Sequence, residues 1–125
     1  MEDGPRILVV EDEVFILHLV ESTLEEGGFK VIPVTSGEQA IQMLDTHNSA
    51  VRAVITDVNL GRSKLTGWDI ARYAREVNPN TVVIYMTGHG ADEWTSHGLP
   101  NSILMTKPFA PAQILTALSN LLNQT

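Results

Sequence analysis

The sequence contains no cysteine. Disulfides, thiolate metal sites and a cysteine nucleophile are therefore excluded, and the absence is compatible with a reducing compartment. Basic residues are also scarce. Eight Lys and Arg face fifteen Asp and Glu, for a formal net charge of -7 and a pI near 4.9. Nucleic acids and anionic lipid surfaces need clustered Lys and Arg, so neither is an expected partner. A cation or a basic patch on another protein suits the balance better. No apolar run approaches the ~20 residues that span a bilayer. The opening MEDGPRILVV lacks the basic and long apolar regions of a signal peptide, so no membrane association and a cytoplasmic location are expected. No GxxxxGK[ST] motif is present, and GHG is not a dinucleotide fingerprint. The four histidines (His18, His47, His89 and His97) contain no metal-ligand pair at helical spacing. Repeats, low-complexity segments and linkers are absent.

Against these absences stand 125 residues, 43% of them hydrophobic. That is enough for one domain, taken as residues 1–125 with a core over 6–123. Short β-branched runs alternate with longer helical patterns. RILVV (Arg6–Val10) reads as a buried strand, followed by a helix with Leu17, Val20 and Leu24 on one face and Gly27-Gly28 as its stop. KVIPV (Lys30–Val34) is a second strand, placed at a sheet edge because Pro33 cannot donate a ladder bond. Ser36 caps a helix to about His47, with Gln39 in the capping-box position. Residues 53–56 form a third strand that ends at Asp57. Thr66 caps a helix with Ile70, Ala74 and Val77 inward. Residues 81–86 and Ser102–Thr106 are strands four and five. Residues 88–101 hold at most a short polar helix. Pro111 opens the last helix, striped with Ile114, Leu115, Leu118, Leu121 and Leu122.

Continuous apolar strands joined by helices predict a parallel five-stranded sheet covered on both faces, a doubly wound α/β sandwich of five β-α units. Its ligand site is expected at the carboxyl ends of the strands. Those ends carry Glu11 and Asp12, Asp57, Thr87, and Lys107 followed by Pro108. Like charges about 4 Å apart repel by about 4 kcal/mol at an effective dielectric near 20, so the acids either splay into water or share a cation. Three carboxyl groups suit a hard cation such as Mg2+. A carboxylate so placed can also attack phosphorus, while a lysine ammonium and a hydroxyl neutralise and hydrogen-bond the transferred oxygens. Acids at 11 to 13 also suit a helix N-terminus, but that explains only Asp12 and Glu13 and leaves Asp57 and Lys107 unaccounted for.

EDE, ITDV, MTG and TKPF at the ends of strands one, three, four and five together resemble the CheY-like receiver domain of two-component response regulators, from Arg6 to the end. The resemblance implies strand order 2-1-3-4-5 and a phosphorylation-dependent signalling switch. Asp57 would be the phosphoacceptor, with Thr87 and Lys107 around the phosphoryl group. Mg2+ or Mn2+ would be held by Glu11, Asp12, Asp57 and the backbone carbonyl of Asn59. Lys107-Pro108 would be a cis peptide. The donor would be a histidine kinase or a phosphotransfer protein, and the output a changed affinity for a downstream protein. No activity beyond the chain's own phosphotransfer and dephosphorylation is implied, and the protein would be a monomer or weak dimer.

Some residues depart from that pattern. NLGRSKLTG after Asp57 is about two residues longer than the family's usual turn and lacks its Pro. Arg62 and Lys64 lie there, either drawing in a phosphodonor or simply solvated at a loop tip. Leu104 occupies the place of the family's switch aromatic, which resembles the subgroup with Thr-Gly after strand four. Tyr85 and Trp94 are candidate substitutes. His89, two residues past Thr87, is a candidate for tuning dephosphorylation. Two other readings compete: a pseudo-receiver that binds partners unphosphorylated, and a haloacid-dehalogenase-like phosphatase. The latter wants a second Asp where this chain has Asn59, which cannot transfer a proton.

Overall fold

The structure, a computed structural model of the chain, describes residues 5–47, 50–88 and 99–123. Five strands, β1 (Arg6–Val10), β2 (Lys30–Val34), β3 (Val51–Asp57), β4 (Val82–Thr87) and β5 (Ser102–Thr106), form one sheet. The helices are α1 (Val14–Glu26), α2 (Gly37–His47), α3 (Gly67–Val77) and α4 (Pro111–Asn123). The sheet order is β2-β1-β3-β4-β5, and every strand pair is parallel. Pro33 lies on the edge strand β2, opposite Val9, where its missing donor costs the sheet little. The segment read as at most a short polar helix falls largely in residues 89–98, outside the described residues.

Side chains alternate between the two faces of each strand, so the core divides in two. Ile7 and Val9, Ala53 and Ile55, and Val82, Ile84 and Met86 pack beneath Leu17, Val20 and Leu24 of α1 and Ile114, Leu118 and Leu121 of α4. On the other face, Leu8, Val10 and Val54 meet Ala40 and Leu44 of α2 and Ile70 and Ala74 of α3. A third cluster joins Val83 and Tyr85 of β4 to Val58, Trp68 and Ala71, with Leu104 packed against it. A one-residue slip of any strand would exchange these two faces, which fixes the register and with it the residues that end each strand.

The caps refine the expected boundaries. Thr66 and Asp69 form a reciprocal capping box at α3. At α2, Ser36 Oγ accepts the Gln39 N–H at 3.2 Å, but Gln39 Oε1 accepts from the Thr35 N–H at 2.8 Å rather than from Ser36. β3 starts at Val51, two residues before the apolar run suggests, because half-buried Arg52 is accommodated at the start of the strand. Val77 is half-buried, whereas Ile70 and Ala74 are fully buried.

A candidate acidic site at the carboxyl ends of the strands

The sheet register lines up its own ends. Val10 pairs with Thr56, Asp57 with Met86, and Thr87 with Thr106. Glu11, Asp57, Thr87 and Lys107 are thus each delivered at or one step past the last ladder position. The Glu11 N–H extends the β1–β2 ladder to Val34 O at 3.1 Å. The Val58 N–H reaches Met86 O at 3.0 Å, and the Lys107 N–H reaches Thr87 O at 2.8 Å. Backbone bonds therefore hold the chain on either side of the site before any side chain acts.

One carboxylate oxygen each from Glu11, Asp12 and Asp57 lie within 4.8 Å of one another. The Lys107 ammonium enters this group, donating to Glu11 Oε1 at 2.8 Å and to Asp57 Oδ2 at 3.1 Å. The two adjacent acids have different surroundings. Glu11 is 0% exposed, and its other oxygen accepts the Glu13 N–H at 3.1 Å. Asp12 is exposed and lines an open cavity of about 410 Å3, together with Asp57, Asn59, Thr87 and Lys107. Asp57 is 8% exposed and Thr87 6%, and both line that cavity.

Burial pushes the Glu11 carboxyl up to about 7; the hydrogen bonds from Lys107 and the Glu13 N–H oppose the rise, and the Asp57 charge adds to it. Burial pulls the Lys107 ammonium down, but the hydrogen bond to Glu11 and the charge of Asp57 outweigh it and hold the group above the usual lysine value. Asp12 and Asp57 present hard carboxylate oxygens to the open cavity, with the buried Glu11 carboxyl behind them in the same group. That is the donor chemistry of a Mg2+-type site.

The family's profile, described as the response regulator receiver domain, matches residues 7–119. The chain belongs to this family. The receiver fold is also seen in the crystal structure of a response regulator receiver protein from Sinorhizobium medicae WSM419, 44% identical, with a TM-score of 0.91 and 98% of each chain covered. A receiver domain protein from Clostridium thermocellum is 28% identical with a TM-score of 0.86, over 96% of this chain and 95% of that one. Among curated relatives, the aerobic respiration control protein ArcA of Escherichia coli K12 is 32% identical over 124 residues, 97% of this chain and 50% of its own length. This receiver spans about half the length of the curated relatives it matches.

The receiver's remaining candidates are placed as follows. The Lys107–Pro108 bond is cis. Asn59 is exposed and lines the cavity, its Oδ1 accepting the Gly61 N–H at 3.1 Å. Leu104 is half-buried and pairs with Tyr85 across β4–β5; the Tyr85 ring lies 4.5 Å from that of Trp68. Arg62 and Lys64 are exposed and do not line the cavity. His89 and Trp94 lie outside the described residues. Two glycines escaped sequence reasoning. A Cβ on Gly67 would fall 2.3 Å from Asp57 O, and one on Gly61 would fall 2.5 Å from Asp12 Oδ2. The only trace of either in the sequence is a glycine near an acidic strand end.

No described helix is long and apolar enough to cross a membrane.

Proposed function

We propose that the protein is a phosphorylation-dependent switch in which Asp57 takes a phosphoryl group from a phosphohistidine on a histidine kinase or phosphotransfer protein. The observation that carries this reading is the setting of the Asp57 carboxylate. It stands at the wall of an open cavity, 3.1 Å from the Lys107 ammonium and grouped with two further carboxylates. An Asp57 oxygen attacks phosphorus and forms a P–O bond as the P–N bond to the donor imidazole breaks; the electron pair passes to that nitrogen, which takes up a proton. Lys107 pairs with the transferred oxygens, and the Thr87 hydroxyl donates to one of them. Glu11, Asp12, Asp57 and the Asn59 carbonyl are the groups to hold Mg2+ or Mn2+, which when bound neutralises the charge gathered at phosphorus. Water later attacks phosphorus, releasing orthophosphate and restoring the carboxylate. On this reading the chain acts only on its own Asp57, and its output is altered binding to a downstream protein.

The start of α1 supports docking of the phosphodonor on that side of the cavity. Val14, Phe15 and Leu19 are 55%, 79% and 41% exposed, the large apolar side chains that stand out among the described residues. Leu19 and Ile16 line an apolar hollow with Lys107, Pro108 and Phe109. Lys107 also lines the acidic cavity, so a protein seated on this hollow reaches Asp57 without crossing the molecule.

The test is incubation with Mg2+ and acetyl phosphate followed by intact-mass measurement. One added phosphoryl group is expected, and Asp57→Asn should abolish it. No adduct, together with no Mg2+ binding, would sink the switch. Rapid turnover of an external phosphomonoester would point instead to a phosphatase.

A further inference from the structure

The loop between β3 and α3 is fastened down rather than free. Leu60 is 4% exposed in the core beneath α2 and α3. The Ser63 N–H donates to Leu60 O at 3.1 Å. The Ser63 hydroxyl accepts the Gly37 N–H at 3.1 Å and donates to Glu38 Oε1 at 2.9 Å. The fit to α2 is close: a Cβ on Gly37 would lie 2.7 Å from Leu65 Cβ and 2.8 Å from Ser63 Oγ.

Gly61 sits between these anchors with φ of 60°, in the left-handed region that glycine enters at no steric cost. A Cβ there would lie 2.5 Å from Asp12 Oδ2, where ordinary contact begins near 3.4 Å. Among the described residues no hydrogen bond holds that carboxylate, and the Asp12 side chain is exposed. A side chain at position 61 would therefore turn that carboxylate away from its present place. Mg2+ demands near-ideal octahedral geometry at about 2.0–2.1 Å, so a displacement of about 1 Å at one ligand weakens binding steeply.

We propose that Gly61 is a positioning residue for the cation site: the anchored loop presents a backbone without Cβ to Asp12 and so sets its place as a ligand. This rests on the acidic cluster being a divalent-cation site. The opposing explanation is that Gly61 is needed only for its φ, which asparagine also tolerates. Both Gly61→Ala and Gly61→Asn introduce a Cβ at this φ, and Ala carries the greater backbone strain.

The experiment is calorimetric titration of the folded protein with MgCl2, alongside thermal melts in chelator, for the parent, Gly61→Ala and Gly61→Asn. Both variants are expected to bind Mg2+ about tenfold more weakly, with Asn melting closer to the parent than Ala. Ser63→Ala, which loosens the anchor without touching Asp12, should weaken binding about threefold. Parental affinity in Gly61→Asn would overturn the proposal even if Gly61→Ala failed to fold. Absence of Mg2+ binding by the parent would instead overturn the cation-site reading beneath it.

Discussion

Replacing Gly67 by alanine sets two effects of opposite sign against each other. Gly67 is the first residue of α3, and helix propensity alone favours alanine there by up to about 1 kcal/mol. The packing says otherwise. The new Cβ would meet Asp57 O at 2.3 Å, Val58 Cα at 2.9 Å and Asp57 C at 3.0 Å, all of them backbone. None can swing aside as a side-chain end can, so α3 and the end of β3 must part by about 1 Å. Forcing a group into a packed site costs about 1–3 kcal/mol. The Gly67 N–H bond to Val58 O, 2.8 Å long, is strained in the same movement, which adds about 1 kcal/mol if it is lost. The net expectation is destabilisation of about 1–3 kcal/mol. For a chain of this size that lowers the thermal midpoint by about 4–12 °C. Circular dichroism melts would measure it, with Gly88→Ala as control, since a Cβ there meets nothing within 4 Å among the described residues. The rate of adduct formation from acetyl phosphate should fall as well, because the displaced backbone carries Asp57. A Gly67→Ala midpoint equal to or above the parent's would refute the reasoning.

Other expectations concern pH, docking and charge. In the folded protein Glu11 keeps its proton up to about pH 7, against an ordinary value of 4.5. Between those values the unfolded chain binds fewer protons, so this contribution to stability is complete below 4.5 and is lost as pH rises through 7. At about 1.4 kcal/mol per unit the loss is about 3 kcal/mol. Urea midpoints in chelator should show the parent falling relative to Glu11→Gln from pH 4.5 to 8, and a flat difference would contradict the assigned burial. Phe15→Ala should slow transfer from a phosphohistidine protein about tenfold and leave the acetyl phosphate rate within twofold, as expected of a docking contact remote from the chemistry. Equal slowing of both would place Phe15 in the fold instead. Lys107→Met should cut the acetyl phosphate rate at least tenfold, read by intact mass, because it removes the ammonium bonded to Asp57 Oδ2.

Much of this site was legible because parallel strands are written as unbroken apolar runs, and the residue after each run is the residue at the sheet's edge. ILVV, AVIT, VVIYM and SILMT point in this way to Glu11, Asp57, Thr87 and Lys107. The division of labour between Glu11 and Asp12 was not legible. Strand alternation ends where the strand does, and only three-dimensional placement shows one acid turned to Lys107 and the other to the cavity. The start of β3 was hidden by Arg52, a charge inside a strand. Ser63 and Glu38 are 25 residues apart, and Trp68 meets Tyr85 from a neighbouring element. Such pairs are made by tertiary packing and leave no local period to read.

The Lys107 bridge has a consequence for how the sheet is held. β5 is an edge strand bonded through its backbone to β4 alone, yet its following lysine grips residues carried by β1 and β3. A cation that settled among Glu11, Asp12 and Asp57 would draw on the same two carboxylates that hold this amine. Filling the site would then alter a tie between the edge of the sheet and its centre.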